Sequence, residues 1–352
     1  MSKATNKTVL ICPLDWGLGH ATRVTPVIEY YVSRGDEVII GGDGASFFYL
    51  KKRFPSLIFE KVPGYEVAYS KRVSFAVKML LSLPSIYLGI KKEEKRVTQL
   101  HQQYNFDLII SDNRFGVHHK GVKSLFMTHQ LNVKFPYFEK IIFKVQKKLI
   151  EKFDYCLVPD FPLKENLAGV LSVLKPEQKL NIPVHYVGAL SRFYNTNVVV
   201  KSIKYKYVAV VSGPEPHKSG LVDLLINEFK KTSDSLAVLT YDYSLKEVLP
   251  ENIKLFLNCD DEQFLDIVSQ SDTMISRSGY TTLMDLIYLQ KKVFFIPTPD
   301  QTEQVYLAEY AAQNGWANYC LQQNFTIDII TSSGKGFPFG KSPLNVVLGK
   351  IL

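Results

Sequence analysis

The sequence predicts an α/β protein built as two Rossmann-like domains. Three observations carry this. Short apolar runs alternate with helical patterns along most of the chain, the mark of parallel sheets. The alternation starts afresh after a polar, basic stretch, Phe193 to Lys206. The 352 residues exceed one typical domain and suit two.

Thr8 to Pro13 reads as the first strand. Lys3 and Lys7 precede it, but the apolar run is short and leads into Asp15, so it is a strand and not a signal peptide. A glycine-rich turn, DWGLGH, follows, then a helix from about Ala21 to Ser33 and a strand, Glu37 to Ile40. This is a βαβ opening. Gly17, Gly19 and a later Asp43 loosely match a dinucleotide fingerprint. Thr22 stands at the third glycine position, however, and His20 puts an imidazole where a pyrophosphate would approach, so a nicotinamide dehydrogenase is disfavoured. A histidine at a helix head is a candidate base, or else it only fills the turn.

Further strands are predicted over Leu57 to Val62, Phe106 to Ser111, Lys123 to Met127 and Phe153 to Pro159. The second of these ends in Asp112, which either works in a crevice or caps the next segment. The third runs into Thr128, His129 and Gln130. Beyond the linker, a strand from Tyr207 to Val211 leads into Ser212, Gly213, Pro214, Glu215 and Pro216. A helix, Leu221 to Lys230, and strands Leu236 to Thr240 and Ile253 to Leu257 continue the alternation.

The stretch Met274 to Gln304 is the most informative. A strand, Thr273 to Ile275, turns through Ser276–Gly279 into a helix carrying Leu283, Leu286, Ile287 and Leu289. Ser278 reads as the N-cap, and Gly279 lets a ligand approach the backbone. The first helical turn points N–H groups and a positive dipole end above the strand, where a phosphate fits. Thr281, Thr282 and Asp285 lie on the next turns, and a carboxylate there suits a ribose. A strand, Val293 to Ile296, then opens into a loop, Asp300 to Gln304, whose acid and amide groups suit a polyhydroxylated ligand.

RSGYTTLMD, PTP and DQTEQ in that order resemble the donor-nucleotide motif of GT-B glycosyltransferases. The likeness is nearest to the MurG-like group, family 28, and more distant to the UDP-glucuronosyl and plant UDP-glycosyltransferases. It implies the GT-B architecture, two Rossmann-like domains with parallel sheets facing a central cleft. Residues 1–190 would bind acceptor and 191–335 the nucleotide-sugar donor, with a helix near 340–352 returning to the first domain. It implies that Ser278 and Gly279 hold the diphosphate, with Thr281 beside them, Asp285 the ribose, and Glu303 with Gln304 the sugar. The turn at Gly17, Gly19 and His20 resembles the family's G-x-G-H turn, and Asp112 the aspartate that orients its catalytic histidine. THQLN is similar to the acceptor-side H-E-Q-N motif, with His129 and Gln130 facing the cleft. Gly188 to Arg192 resembles a G-x-x-x-R whose arginine reaches the diphosphate. The loop at Cys259 would hold uracil through its backbone. Ser212 and Gly213 stand where the family has a glycine-rich phosphate loop, but Pro214 and Pro216 depart from it by removing N–H groups.

Composition says less. The formal charge of +8 suits nucleic acid, anionic lipid or phosphorylated substrates alike. Four scattered cysteines without a C-x-x-C pair speak against a zinc ribbon and fit free thiols in a reducing compartment. Val73 to Ile90 is apolar but charged and broken by Pro84, too poor for a membrane span. Lys134 to Phe153 mixes aromatics and lysines at helical spacing, which fits either an anionic bilayer surface or a helix packed on a sheet.

The expectation is an inverting, metal-independent transferase that moves a hexose, N-acetylglucosamine first, from a UDP-sugar to a hydroxyl acceptor, lipid-linked acceptors included. No cofactor or metal is expected, since no D-x-D pair stands at a suitable place. No nucleic-acid partner is expected either. The location is cytoplasmic, with an anionic membrane surface as a partner. Two alternatives stand beside it: a UDP-sugar epimerase of the same fold, and a non-catalytic nucleotide-sugar or lipid-binding protein.

Overall fold

The computed structural model describes residues 6–64, 75–132, 139–162, 164–199, 201–245, 248–330 and 334–351, with side chains from 84 and 140 onward in the helices that begin at 75 and 139. The chain divides into two compact units, Met1–Arg192 with Ser342–Leu352, and Phe193–Lys341.

The first unit runs β1 (Thr8–Pro13), α1 (Leu18–Ser33), β2 (Glu37–Gly42), α2 (Gly44–Arg53), β3 (Ile58–Lys61), α3 (Phe75–Tyr104), β4 (Leu108–Asp112), β5 (Lys123–Met127), α4 (Glu139–Ile150), β6 (Tyr155–Val158) and β7 (Val184–Tyr186). Its seven strands form one sheet in the order β3-β2-β1-β4-β5-β6-β7, and every pairing is parallel. The central strands are unbroken apolar runs because helices cover both faces of such a sheet; Val9, Leu10, Ile11, Ile109 and Ile110 are wholly buried. The order reverses between β1 and β4, which pair from Val9 with Leu108 to Pro13 with Asp112. That reversal is the switch point where such sheets bind ligands.

The second unit runs β8 (Tyr205–Val210), α5 (His217–Phe229), β9 (Leu236–Thr240), β10 (Ile253–Leu257), α6 (Asp261–Ser269), β11 (Ser271–Ser276), α7 (Tyr280–Leu289), β12 (Lys292–Phe295), α8 (Thr302–Gln313) and β13 (Asn318–Tyr319). Its parallel sheet has the order β10-β9-β8-β11-β12-β13, so the switch point lies between β8 and β11. A last helix, α9 (Leu344–Ile351), belongs to the first unit; there the Lys123 ammonium donates to the Ile351 carbonyl at 2.9 Å.

Several local expectations need correction. Helix α1 begins at Leu18, so His20 lies inside its first turn. Helix α5 begins at His217, four residues before its apolar face begins at Leu221, because a helix start is set by backbone geometry rather than by apolar spacing. Asp300 to Gln304 is not all loop: Thr302 opens α8, which places Glu303 and Gln304 in its first turn. Helix α3 runs as one element through Pro84. The first part of each stretch weighed for a membrane, 73–74 and 134–138, lies outside the described residues. Among the described residues no helix is long and apolar enough to cross a membrane.

Candidate active site

In the first unit the turn from β1 into α1 passes through Gly17 at φ 121°, a conformation that a side chain strains. The Ser46 hydroxyl of α2 donates to the carbonyls of Gly17 and Leu14 at 2.9 and 3.2 Å and pins that turn. Gly19 follows, its carbonyl taking the Thr22 hydroxyl at 3.0 Å. His20 then projects over the carboxyl ends of β1 and β4. Its Nδ1 lies 2.8 Å from Oδ2 of Asp112, the last residue of β4. Asp112 is fully buried, whereas His20 keeps 16% of its side chain exposed.

A third residue joins them that the sequence reading passed over. Arg23, one turn along α1, is 2% exposed. Its Nε donates to both oxygens of Asp112, at 2.9 and 3.0 Å, and its Nη2 donates to Oδ1 as well. Nη2 also lies 2.8 Å from His20 Nδ1, and Nη1 lies 3.1 Å from Nδ1 of His129. His129 is buried just past the end of β5, so the expected His20, Asp112 and His129 meet around one guanidinium. Gln130 follows, its N–H bonded to the Thr128 hydroxyl at 3.1 Å and its carbonyl to Gln146 of α4 at 2.6 Å. The signal for Arg23 was present: a charged residue amid Ala21, Thr22 and Val24, three positions after a histidine on one helical face.

Burial depresses the His20 imidazole below its ordinary 6.5, and the Arg23 cation adds to this, outweighing the Asp112 carboxylate. For Asp112, burial pushes upward, but Arg23 and His20 outweigh it and leave the carboxyl below its ordinary 3.8. The pair therefore rests as a neutral imidazole beside an ionised carboxylate.

In the second unit, Ser212 and Gly213 follow β8 and Ser278 and Gly279 follow β11, at neighbouring strand ends. One expectation is overturned here. The N-cap of α7 is Gly279, not Ser278, and no side chain caps that end. The Ser278 hydroxyl instead donates to the Gln304 carbonyl at 2.7 Å, tying the α7 turn to the first turn of α8. A Cβ on Gly279 would meet only Thr282 Oγ1, at 3.8 Å, so the backbone there is open to an approaching group. Thr281 and Asp285 lie on the partly exposed face of α7, and Glu303 is partly exposed on α8. The Gln304 side-chain oxygen accepts from the Thr298 N–H at 2.9 Å, and its amide nitrogen donates to Oε1 of Gln301 at 3.5 Å. Cys259 lies beyond β10, before the Asp260 capping box that starts α6. Arg192 closes the first unit, partly buried, and its carbonyl accepts from Arg53 at 3.3 Å.

Arg277 is the second residue missed. It is 3% exposed, and its guanidinium donates to the carbonyls of Ile296, Pro297 and His217 and to Oε1 of Gln322, at 2.8–3.0 Å. Among the described residues no carboxylate pairs with it, and burial lowers its pKa to about 10. It laces the ends of β11 and β12 to the start of α5 and leaves a cation beneath the switch point. Among the described residues no three His, Cys, Asp or Glu side chains gather to hold a metal.

Residues 230–335 match the model of the glycosyltransferase family 28 C-terminal domain, the family that the donor motif resembles. No curated protein matches the chain. Solved structures match over nearly its whole length. MurG of Acinetobacter baumannii is 12% identical and covers 99% of this chain and 91% of its own, with a TM-score of 0.55. Arabidopsis thaliana UGT89C1, complexed with quercetin, is 13% identical, with 90% and 84% covered and a TM-score of 0.60. The spinosyn rhamnosyltransferase SpnG, complexed with thymidine diphosphate, is 14% identical, with 89% and 86% covered and a TM-score of 0.59. The fold is thus that of GT-B glycosyltransferases, and the stretch that matches the family model lies in the second unit.

Proposed function

We propose that this protein is an inverting, metal-independent glycosyltransferase that moves a hexose, N-acetylglucosamine first among candidates, from a UDP-sugar to an acceptor hydroxyl. The observation that supports it most is the 2.8 Å pair of His20 and Asp112 at the switch point of the first sheet, in a chain whose residues 230–335 match a glycosyltransferase family model. His20 Nδ1 faces both a carboxylate oxygen that only accepts and Arg23 Nη2 that only donates; because Nη2 also donates to Asp112 Oδ1, the ring hydrogen on Nδ1 goes to Oδ2 and the lone pair is left on Nε2. Nε2 takes the proton of the acceptor hydroxyl as its oxygen attacks the anomeric carbon from the face opposite the diphosphate. The new carbon–oxygen bond forms as the bond to the diphosphate breaks, and Asp112 steadies the imidazolium. The departing UDP leaves with its charge balanced by the uncapped start of α7; Arg192 is assigned to the diphosphate by the family resemblance alone. Asp285 takes the ribose hydroxyls; Thr281 stands at the phosphates, Glu303 and Gln304 at the sugar, and the Cys259 backbone at the base. His129, Gln130 and the Gly17–Gly19 turn meet the acceptor.

A lipid-linked acceptor at an anionic membrane surface, on the cytoplasmic side, is part of the same proposal. Helix α4 supports it: Ile141 and Val145 are 60% and 51% exposed, with Lys140, Lys144 and Lys148 on the same open face. The test of the whole reading is a panel of UDP-, dTDP- and GDP-sugars. Thermal stabilisation by UDP-sugars, and UDP release that rises on adding an acceptor, is the expected result. An epimerase would interconvert sugars without releasing UDP, and a binding protein would show the shift with no turnover.

A further inference from the structure

We infer that Arg23 is a positioning residue for both imidazoles: its guanidinium keeps His20 neutral and holds His129 in the tautomer whose hydrogen is on Nε2. The inference rests on the reading of His20 as the base. A plain Arg–Asp ion pair would need only the fork onto Asp112. Here the same guanidinium also sends one terminal nitrogen to each ring, 2.8 Å from His20 Nδ1 and 3.1 Å from His129 Nδ1. All of this happens at 2% exposure, where each misplaced hydrogen is costly.

Arginine has five donors, no acceptor, and keeps its charge. The His129 nitrogen facing Nη1 must therefore present a lone pair, and the one hydrogen of a neutral ring goes to Nε2. A second proton on His129 would put two donors head to head. At His20 the geometry differs: Nδ1 also faces Oδ2 of Asp112, which accepts the ring hydrogen, while Nη2 donates to Oδ1 of the same carboxylate. The charged groups facing this ring are Asp112, which favours a second proton, and Arg23, which opposes it; His129, if protonated, would oppose it too. Burial sides with Arg23. Removing the guanidinium leaves Asp112 unopposed, so His20 should then charge more readily. The spacing on α1 makes this work: positions 20 and 23 share a face, so one residue reaches the partner of the first histidine and the ring of the second.

Imidazole nitrogen NMR on the full-length protein, titrated between pH 5 and 8, tests this in the wild type, Arg23→Gln and Arg23→Lys. His20→Gln and His129→Gln assign the signals. The expected wild type has His129 with hydrogen on Nε2 and His20 titrating below the ordinary histidine value. Arg23→Gln should raise the His20 midpoint by about one pH unit or more. Arg23→Lys keeps the charge but loses the fork, so His20 should stay depressed while His129 becomes a mixture of tautomers. A His20 midpoint that is the same in the wild type and Arg23→Gln overturns the inference, as does a wild-type His129 with its hydrogen on Nδ1. If Arg23→Gln does not fold, the wild-type tautomer and Arg23→Lys still decide. None of these spectra needs a substrate. A His20 found with hydrogen on Nε2, or no turnover with any sugar nucleotide, would sink the base reading alone.

Discussion

The Tyr241 hydroxyl donates to the Gly213 carbonyl at 3.0 Å, and its oxygen accepts from the Gly213 N–H at 3.4 Å. Gly213 sits at φ 119° with nothing within 4 Å of where a Cβ would stand. Its neighbours Pro214 and Pro216 offer no N–H, and the loop after β8 is braced from the adjacent strand end as well as by its own turn, where the Lys218 N–H donates to the Pro214 carbonyl at 3.2 Å. Lys218 completes the brace. Its ammonium donates to the Tyr241 carbonyl at 2.7 Å and lies 4.3 Å from the centre of the Tyr241 ring.

Tyr241→Phe keeps that ring but drops the hydroxyl. If the loop contacts the donor diphosphate, UDP affinity should fall by about 1 kcal/mol, roughly fivefold, when titrated calorimetrically. Unchanged UDP affinity would take this loop out of the phosphate site.

Asp285→Ala should weaken UDP and UDP-sugar alike, by about 1.5–3 kcal/mol, since a carboxylate on ribose hydroxyls makes charge-assisted bonds. Gln304→Ala should weaken UDP-sugar while leaving UDP nearly unchanged. Because Gln304 also braces the Thr298 N–H, equal loss of both ligands would mean that its role is to hold that turn.

His20→Ala should lower turnover on the order of a hundredfold or more with little change in donor binding. Asp112→Asn should lower it less, and the two losses should not add, because the pair acts as a unit. His20→Gln separates base from spacer: near-wild-type turnover at saturating donor and acceptor would end the base assignment.

The buried pair also links stability to pH. His20 is depressed by folding, so its contribution is full above 6.5 and drains as pH falls through the lower folded value. Asp112 is depressed as well, so its contribution is full above 3.8 and is lost at more acid pH. Asp15 and Asp160, raised by burial, act in the opposite sense as they protonate. The contrast with His20→Asn isolates the histidine: its urea midpoint should fall less than that of the wild type between pH 7 and 5. Parallel curves for the two proteins would show that His20 titrates alike folded and unfolded.

Vesicles test the α4 surface. Sedimentation with anionic vesicles should exceed that with neutral ones and weaken at high salt, because the lysine contribution is screened. Equal, negligible binding to both would remove the membrane from the proposal.

The sequence by itself determined the two α/β halves and the places where chemistry could sit. Period-two and period-3.6 patterns are local, and a strand end marks its own ligand side, so His20, Asp112 and the Ser278–Gly279 turn were legible as candidates. Element starts were less so, as α5 and α8 show, because apolar spacing reports the buried face and not the first hydrogen-bonded turn. Only the tertiary structure decided who meets whom. Arg23 reaches Asp112 and His129 across 89 and 106 positions of chain, and Arg277 reaches Gln322 across 45. Both arginines are held by hydrogen bonds whose partners come from other strand ends, and no local pattern encodes those. The same holds for Ser278: its sequence fits a cap, but the Gln304 carbonyl 26 positions away takes its hydroxyl. The start of α7 is left uncapped because the residue at the cap position is Gly279, which has no side chain to accept from the first helical N–H groups.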